Sequence, residues 1–240
     1  DFVSCGFNQI VNNIAKTYYR WGSSLNILIR LPYGGGMSAG PFHSQCPESW
    51  FCHVPGLKIV APSTPFDAKG LLNESIEDPN PVLFFEHKNI YRSIKGNVPN
   101  EYYNIKIGKA DIKRVGKDIT IITYGMGVHW ALNLSEKLKN EGIDIEIIDL
   151  RSLVPWDKEL VEESISKTNK ALILHEANLT GGIGAEISAY ISEKCFTLLD
   201  APVMRLGAID TPVPFSEGLE KEIYLPTNKI EQKIKELINF

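Results

Sequence analysis

Long apolar runs are missing from this 240-residue chain. No stretch approaches the roughly 20 residues needed to span a bilayer, and the opening DFVSCGFNQIV lacks the basic flank and small-residue cleavage site of a signal peptide. Those two absences lead to the expectation of a soluble, cytoplasmic protein without a membrane partner. Basic excess is missing too: 25 Lys and Arg against 29 Asp and Glu leave a net charge of −4, with no basic cluster to attract nucleic acid. Cysteine is scarce. Cys5, Cys46, Cys52 and Cys195 are too few and too unevenly spread for a disulfide framework. The sequence also lacks G-x-G-x-x-G, G-x-x-x-x-G-K-[ST] and G-x-S-x-G, so the dinucleotide, P-loop and hydrolase-elbow signatures are all absent.

What is present is 43% hydrophobic residue, enough for one large core or two ordinary ones. The apolar pattern alternates between two periods. It predicts a helix over about 3–20, a strand over Asn26–Arg30, a glycine-rich loop over Tyr33–Gly40 and a short helix over Glu48–Val54. A strand over Leu57–Ala61, a helix over Phe66–Ile76 capped by Thr64, and a strand over Val82–Glu86 follow. The polar stretch Ser93–Tyr103 has no apolar period and reads as a linker. Beyond it, strands over Ile119–Tyr124, Ile143–Asp149, Lys170–His175 and Pro202–Leu206 alternate with helices over Val128–Asn140, Asp157–Thr168 and Ile183–Lys194. A last amphipathic helix turns Ile230, Ile234 and Leu237 inward. Alternation of this kind predicts an α/β fold with two parallel-sheet, three-layer domains, residues 1–97 and 98–240. The chain opens on Asp1-Phe2 directly in a helical pattern, so the first domain is expected to be truncated at its N-terminal side and the second complete.

The segment GPFHSQCPESWFCHVPG gathers His43, Cys46, Cys52 and His53. Structural zinc sites pair their ligands as C-x-x-C or H-x-x-x-H, and adjacent Cys52 and His53 point in different directions, so the spacing argues against a zinc protein. The two cysteines read as small buried hydrophobes, and His53, before Val54-Pro55-Gly56, reads as a helix end. His43 sits in a connection just after the glycine loop, where a side chain can face a cleft. The glycine runs Gly34–Gly36 and Gly181–Gly184 invite a phosphate site, but neither has the required order; a tight turn explains each.

FHSQCPESWFCHVPGLKIVAPSTPFDAKGLLNESIEDPNPVLFFEHKNIYR, followed by IIDLRSLVPWD, HEANLTGGIGAEI and IDTPVPF, resembles the β subunit, or β half, of the thiamine-diphosphate-dependent E1 component of 2-oxoacid dehydrogenases. The motifs cover essentially the whole chain in order, and HSQCPE, DAKGLL, FFEHKNIYR and DTPVPF lean toward the branched-chain (2-oxoisovalerate) members. The resemblance implies a pyrimidine-binding domain followed by a transketolase C-terminal domain. Family members carry a further N-terminal segment with the glutamate that contacts the cofactor's aminopyrimidine, so this chain alone is expected to be inactive.

The resemblance makes His43 the catalytic candidate, acting where the 2-oxoacid and lipoyl arm meet by hydrogen bonding or proton donation, with Arg30 supporting it or held in a salt bridge. Phe2 matches the aromatic beside the aminopyrimidine ring. Leu25, Ile27, Leu28, Ser75, Asp78 and Asn80 match a monovalent-cation site, K⁺ in type, built mostly of backbone carbonyls. The diphosphate and its Mg²⁺ belong to the α subunit in this family. Expected partners are therefore an α subunit or α half, a second β chain and the E2 lipoyl acyltransferase. A pyruvate or acetoin enzyme, or a role confined to assembly and E2 docking, are the alternative readings.

Overall fold

The computed structural model describes residues 1–221 and 227–240. Their strands, in chain order, are β1 (Leu28–Tyr33), β2 (Lys58–Val60), β3 (Val82–His87), β4 (Asp111–Arg114), β5 (Ile119–Thr123), β6 (Ile145–Asp149), β7 (Ser152–Val154), β8 (Ala171–Asn178) and β9 (Met204–Ala208). The helices are α1 (Thr17–Trp21), α2 (Glu48–Cys52), α3 (Pro65–Glu77), α4 (Ile90–Ser93), α5 (Met126–Asn140), α6 (Lys158–Thr168), α7 (Ile183–Lys194), α8 (Glu217–Leu219) and α9 (Thr227–Ile238).

Two sheets result, in the orders β1-β3-β2-β7 and β4-β6-β5-β8-β9. In the first, β3 runs parallel to both neighbours, Val82 standing opposite Leu28 on one side and Lys58 on the other. Every residue of β3 is buried, which is why VLFFEH reads as a continuous run rather than an alternating one. The helices begin where the caps predict. Thr64 Oγ1 accepts from Asp67 N at 3.1 Å with Pro65 opening α3, and Asp157 accepts from Leu160 N at 3.3 Å at the start of α6. Ile230, Ile234 and Leu237 of α9 are all buried.

Two expectations need correction. The sheets are not wholly parallel: β7 pairs antiparallel with β2, and β4 antiparallel with β6. Both are short strands at a sheet edge, β4 beside β6 and β7 beside β2, each added to a parallel core from a part of the chain distant in sequence from its partner. The first helix is not one regular α-helix; tighter turns at Val3–Gly6 and Ile14–Lys16 flank a wider turn at Gln9–Asn13, before α1 ends on left-handed Gly22. The linker and the residues just after it are docked on the first half. The Lys69 ammonium donates to the Glu101 carbonyl at 2.9 Å, Tyr103 stacks on Phe66 at 4.7 Å, and Ile105 and Ile107 pack over Leu71, Val82 and Phe84.

The largest core cluster takes Phe51, Ile59, Leu83, Phe85 and Leu153 from the first sheet's layers and Ile122, Ile148, Ile173 and Ile187 from the second's. Each fully buried side chain of this size contributes about 1.5–3 kcal/mol, so the joint between the halves is hydrophobic core. It brings the carboxyl ends of β1, β3, β5 and β8 to one place, where open α/β sheets bind ligands.

Candidate active site at the joined strand ends

The loop after β1 needs its glycines. Gly34 and Gly36 have φ of +89° and +81°, and a Cβ on Gly34 would lie 2.2 Å from His87 Nε2. Successive amides in such a turn make an anion-binding nest. Here the nest is filled by the protein's own carboxylates. Gly35 N donates to Glu176 at 2.5 Å, Gly36 N to Glu220 Oε1 at 2.7 Å, and Ser38 N to Glu220 Oε2 at 2.8 Å. These amides are committed, so the loop is no phosphate cradle.

Glu176, at the end of β8, is the hub. His87 Nε2 lies 2.6 Å from its Oε2, and Asn89 N donates to His87 Nδ1 at 3.3 Å; this pair of contacts assigns the ring proton to Nε2. The Cys46 thiol completes the set at 3.7 Å. Burial alone would push the Glu176 carboxyl up, yet His87 and the hydrogen bonds from Gly35 and Cys46 together hold it below the usual carboxylate range. Glu48, in the first turn of α2, has the opposite fate. Burial pushes its pKa up to about 7, although the Tyr124 hydroxyl donates to Oε1 at 2.7 Å. Its Oε2 is buried with no partner.

Around this buried cluster the sequence-derived residues fall as follows. His43 is exposed on the loop, its ring edge-on to Phe2 with centroids 5.4 Å apart. Phe2 is itself 60% exposed. Lys88 ties the two ends together, donating to the His43 carbonyl and to the Asp1 carboxylate at 2.8 Å. Arg30 grips Glu86 bidentately at 2.5 and 3.0 Å, a salt bridge. Cys46 and Cys52 pack against the core and His53 caps α2. Among the described residues no group of three or more His, Cys, Asp or Glu could hold a metal ion. The run Gly181–Gly184 makes room for a histidine: a Cβ on Gly182 or Gly184 would lie 2.7 Å from the ring of buried His175. Burial lowers the pKa of that ring to about 4, so it is neutral.

The cation candidates Leu25, Ile27, Asp78 and Asn80 lie near one another around the turn at Asp78–Asn80. Leu25 N donates to the Pro79 carbonyl at 3.0 Å, Val82 N to the Ile27 carbonyl at 2.9 Å, and the Asn26 amide to the Ile76 and Asp78 carbonyls at 2.7 and 2.6 Å. Ser75 Oγ instead donates to the Leu71 carbonyl at 2.6 Å, and Asn80 N to Asp78 Oδ1 at 2.9 Å. Each carbonyl keeps a second lone pair, and oxygen donors are the kind that hard cations take. Lys58 already brings one positive charge to it by pairing with Asp78.

Sequence reasoning missed His87, Glu176, Glu220 and Glu48 as site residues. A signal existed for the first two: each is a polar residue closing a buried apolar run, FFEH and ALILHE.

Comparison with known proteins gives a consistent picture. Residues 1–93 match the family model of the transketolase pyrimidine binding domain, and residues 108–230 that of the transketolase C-terminal domain. The 2-oxoisovalerate dehydrogenase subunit beta of Bacillus subtilis is 48% identical over the whole chain, which covers 74% of that relative. The acetoin:2,6-dichlorophenolindophenol oxidoreductase subunit beta of the same organism is 46% identical, with 99% of this chain and 70% of the relative covered. The pyruvate dehydrogenase E1 component subunit beta of Staphylococcus aureus is 40% identical, with 100% and 74% covered. Among solved structures, an inactive β4 tetramer of a split-gene transketolase superposes with a TM-score of 0.78 at 23% identity, over 99% of this chain and 73% of that one. On these matches the chain belongs to the transketolase-like family that includes the β subunits of the 2-oxoisovalerate and pyruvate dehydrogenases.

Proposed function

We propose that this chain is the β part of a branched-chain 2-oxoacid dehydrogenase E1, which decarboxylates a 2-oxoacid and passes the acyl group to a lipoyl arm. The observation that carries the reading is His43 held open to solvent against the exposed Phe2 ring, where the strand ends of both halves meet. The branched-chain lean rests on 48% and 47% identity to 2-oxoisovalerate relatives against 40% to a pyruvate relative. Working partners in this reading are an α subunit or α half, a second β chain and the E2 acyltransferase. We place the enzyme in the cytoplasm; no helix among the described residues is long and apolar enough to cross a membrane. The division into residues 1–97 and 98–240 is part of the same proposal.

Thiamine diphosphate, when bound, supplies the electron sink for decarboxylation. The open Phe2 ring suits a flat aromatic partner such as its pyrimidine. The committed amides of the Gly34–Ser38 loop have no room for its diphosphate, which agrees with assigning that group and its Mg²⁺ to the α subunit. His43 hydrogen-bonds or donates a proton to the acyl group in transit, and the Lys88 bridge to Asp1 keeps that imidazole beside Phe2. The residues Leu25, Ile27, Leu28, Ser75, Asp78 and Asn80 hold K⁺ and stiffen the turn beneath β1 and β3. The test is turnover of 2-oxoisovalerate and pyruvate by the parent β polypeptide assembled with its α partner. Faster turnover of pyruvate would overturn the branched-chain assignment, and a His43→Ala enzyme that acylates lipoyl groups at the wild-type rate would overturn the role of His43.

A further inference from the structure

We propose that Glu176 and Glu220 are positioning residues: from the C-terminal half they clamp the backbone of the Gly34–Ser38 loop and thereby set the place of His43. This rests on the functional reading of His43 above and adds the means by which one half of the chain controls it. Both acids are buried, at 5% and 1% exposure, where a carboxylate is costly unless its oxygens are hydrogen-bonded. All four oxygens are engaged, and three of them take loop amides: Glu176 Oε1 takes Gly35 N, Glu220 Oε1 takes Gly36 N and Glu220 Oε2 takes Ser38 N. The fourth, Glu176 Oε2, holds His87, whose ring fills the space that Gly34 leaves.

Loop and acids therefore form one unit. Charge-assisted bonds of this kind are about twice as strong as neutral ones. Only four residues separate Ser38 from His43, and among them Gly40 passes so near Phe215 that a Cβ would lie 2.4 Å from that ring. The C-terminal half thus holds the segment at a third point. A shift of either acid moves the backbone that carries His43. Glu→Gln replaces one accepting oxygen by a donating amide NH2 and removes the charge, which opens the clamp with little change in volume.

The test uses the parent β polypeptide assembled with its α partner, with Glu220→Gln, Glu176→Gln, His43→Ala and the double variant His43→Ala/Glu220→Gln. A misplacement of about 1 Å costs on the order of 10²-fold, so each Gln variant is expected to slow acyl transfer to a lipoyl domain by about 10–100-fold. In the double variant the loss should be no greater than in His43→Ala alone, because groups acting through one unit are non-additive. Hydrogen exchange of the Gly35, Gly36 and Ser38 amides should speed up in Glu220→Gln while that of β5 stays unchanged. Wild-type acyl transfer in both Gln variants, with His43→Ala impaired, would overturn the clamp and leave the function standing. Losses that multiply in the double variant would also overturn it, since the acids would then act elsewhere than on His43. Wild-type transfer in His43→Ala would bring down the functional reading and the clamp's purpose together.

Discussion

Glu48 gives the sharpest physical test of the buried cluster. Its carboxyl is held at about 7, against an ordinary value of 4.5, chiefly by burial. Between those two pH values the native state keeps a proton that the unfolded chain has released, so stability falls as pH rises through that window and levels off above it. At about 1.4 kcal/mol for each tenfold change in proton affinity, the group costs the native state about 2.5 kcal/mol more at pH 8 than at pH 5. Glu48→Gln is neutral throughout and keeps an oxygen for the Tyr124 hydroxyl. Denaturant unfolding of both proteins from pH 5 to pH 8 should show the glutamine variant gaining on the wild type by about 2.5 kcal/mol across the range. Burial also pushes the Asp149 carboxyl up to about 6, but its contribution is common to both proteins and cancels in the difference. Tyr124→Phe sharpens the test, because it removes a hydrogen bond that favours the ionised form and should move the fall in stability to higher pH. A wild-type-to-variant difference that does not change with pH would refute the reasoning.

Two further predictions follow from packing and from the turn at Asp78. Gly184→Ala drives a methyl to within 2.7 Å of His175 and 3.0 Å of Ile173, and should cost about 1–3 kcal/mol; an unchanged melting temperature would show that the glycine run does not exist to seat that ring. KCl should raise the melting temperature relative to choline chloride at equal ionic strength, by about 2.7 kcal/mol of stabilisation at a hundredfold excess over the dissociation constant. Identical melting in the two salts would sink the cation assignment at Asp78 and its neighbours.

The helices and parallel strands were legible because their signals are local. Thr64 and Asp157 announce α3 and α6 by chemistry three residues long, and VLFFEH, ITIIT and ALIL are too apolar to lie anywhere but inside. By contrast, β4 and β7 are short, and their pairing depends on edges offered by β6 and β2, far away in the chain. No window of sequence around SLV or DIKR contains that information. The site divides in the same way. His43 was legible as a loop histidine able to face a cleft, but its role, and Phe2 altogether, were reached only through the family resemblance, since an opening phenylalanine carries no pattern of its own. Glu176 and His87, missed in the sequence, do carry a local signal as polar endings to apolar runs, whereas Glu220, in the exposed-looking segment SEGLEKE, becomes buried only when the two halves meet.

The strand β7 has a consequence for how the chain acquires its shape. It is made of residues from the second half, yet it closes the edge of the first sheet against β2. As the chain emerges during synthesis, β2 presents bare backbone donors and acceptors until Val154 has appeared, a period in which an open edge invites pairing with another chain. A cut at residue 97 would make that interval permanent on one side and leave SLV without a home on the other. The two halves thus share a sheet edge and a core despite their two family signatures, and limited proteolysis in the intervening segment should leave the pieces associated rather than free.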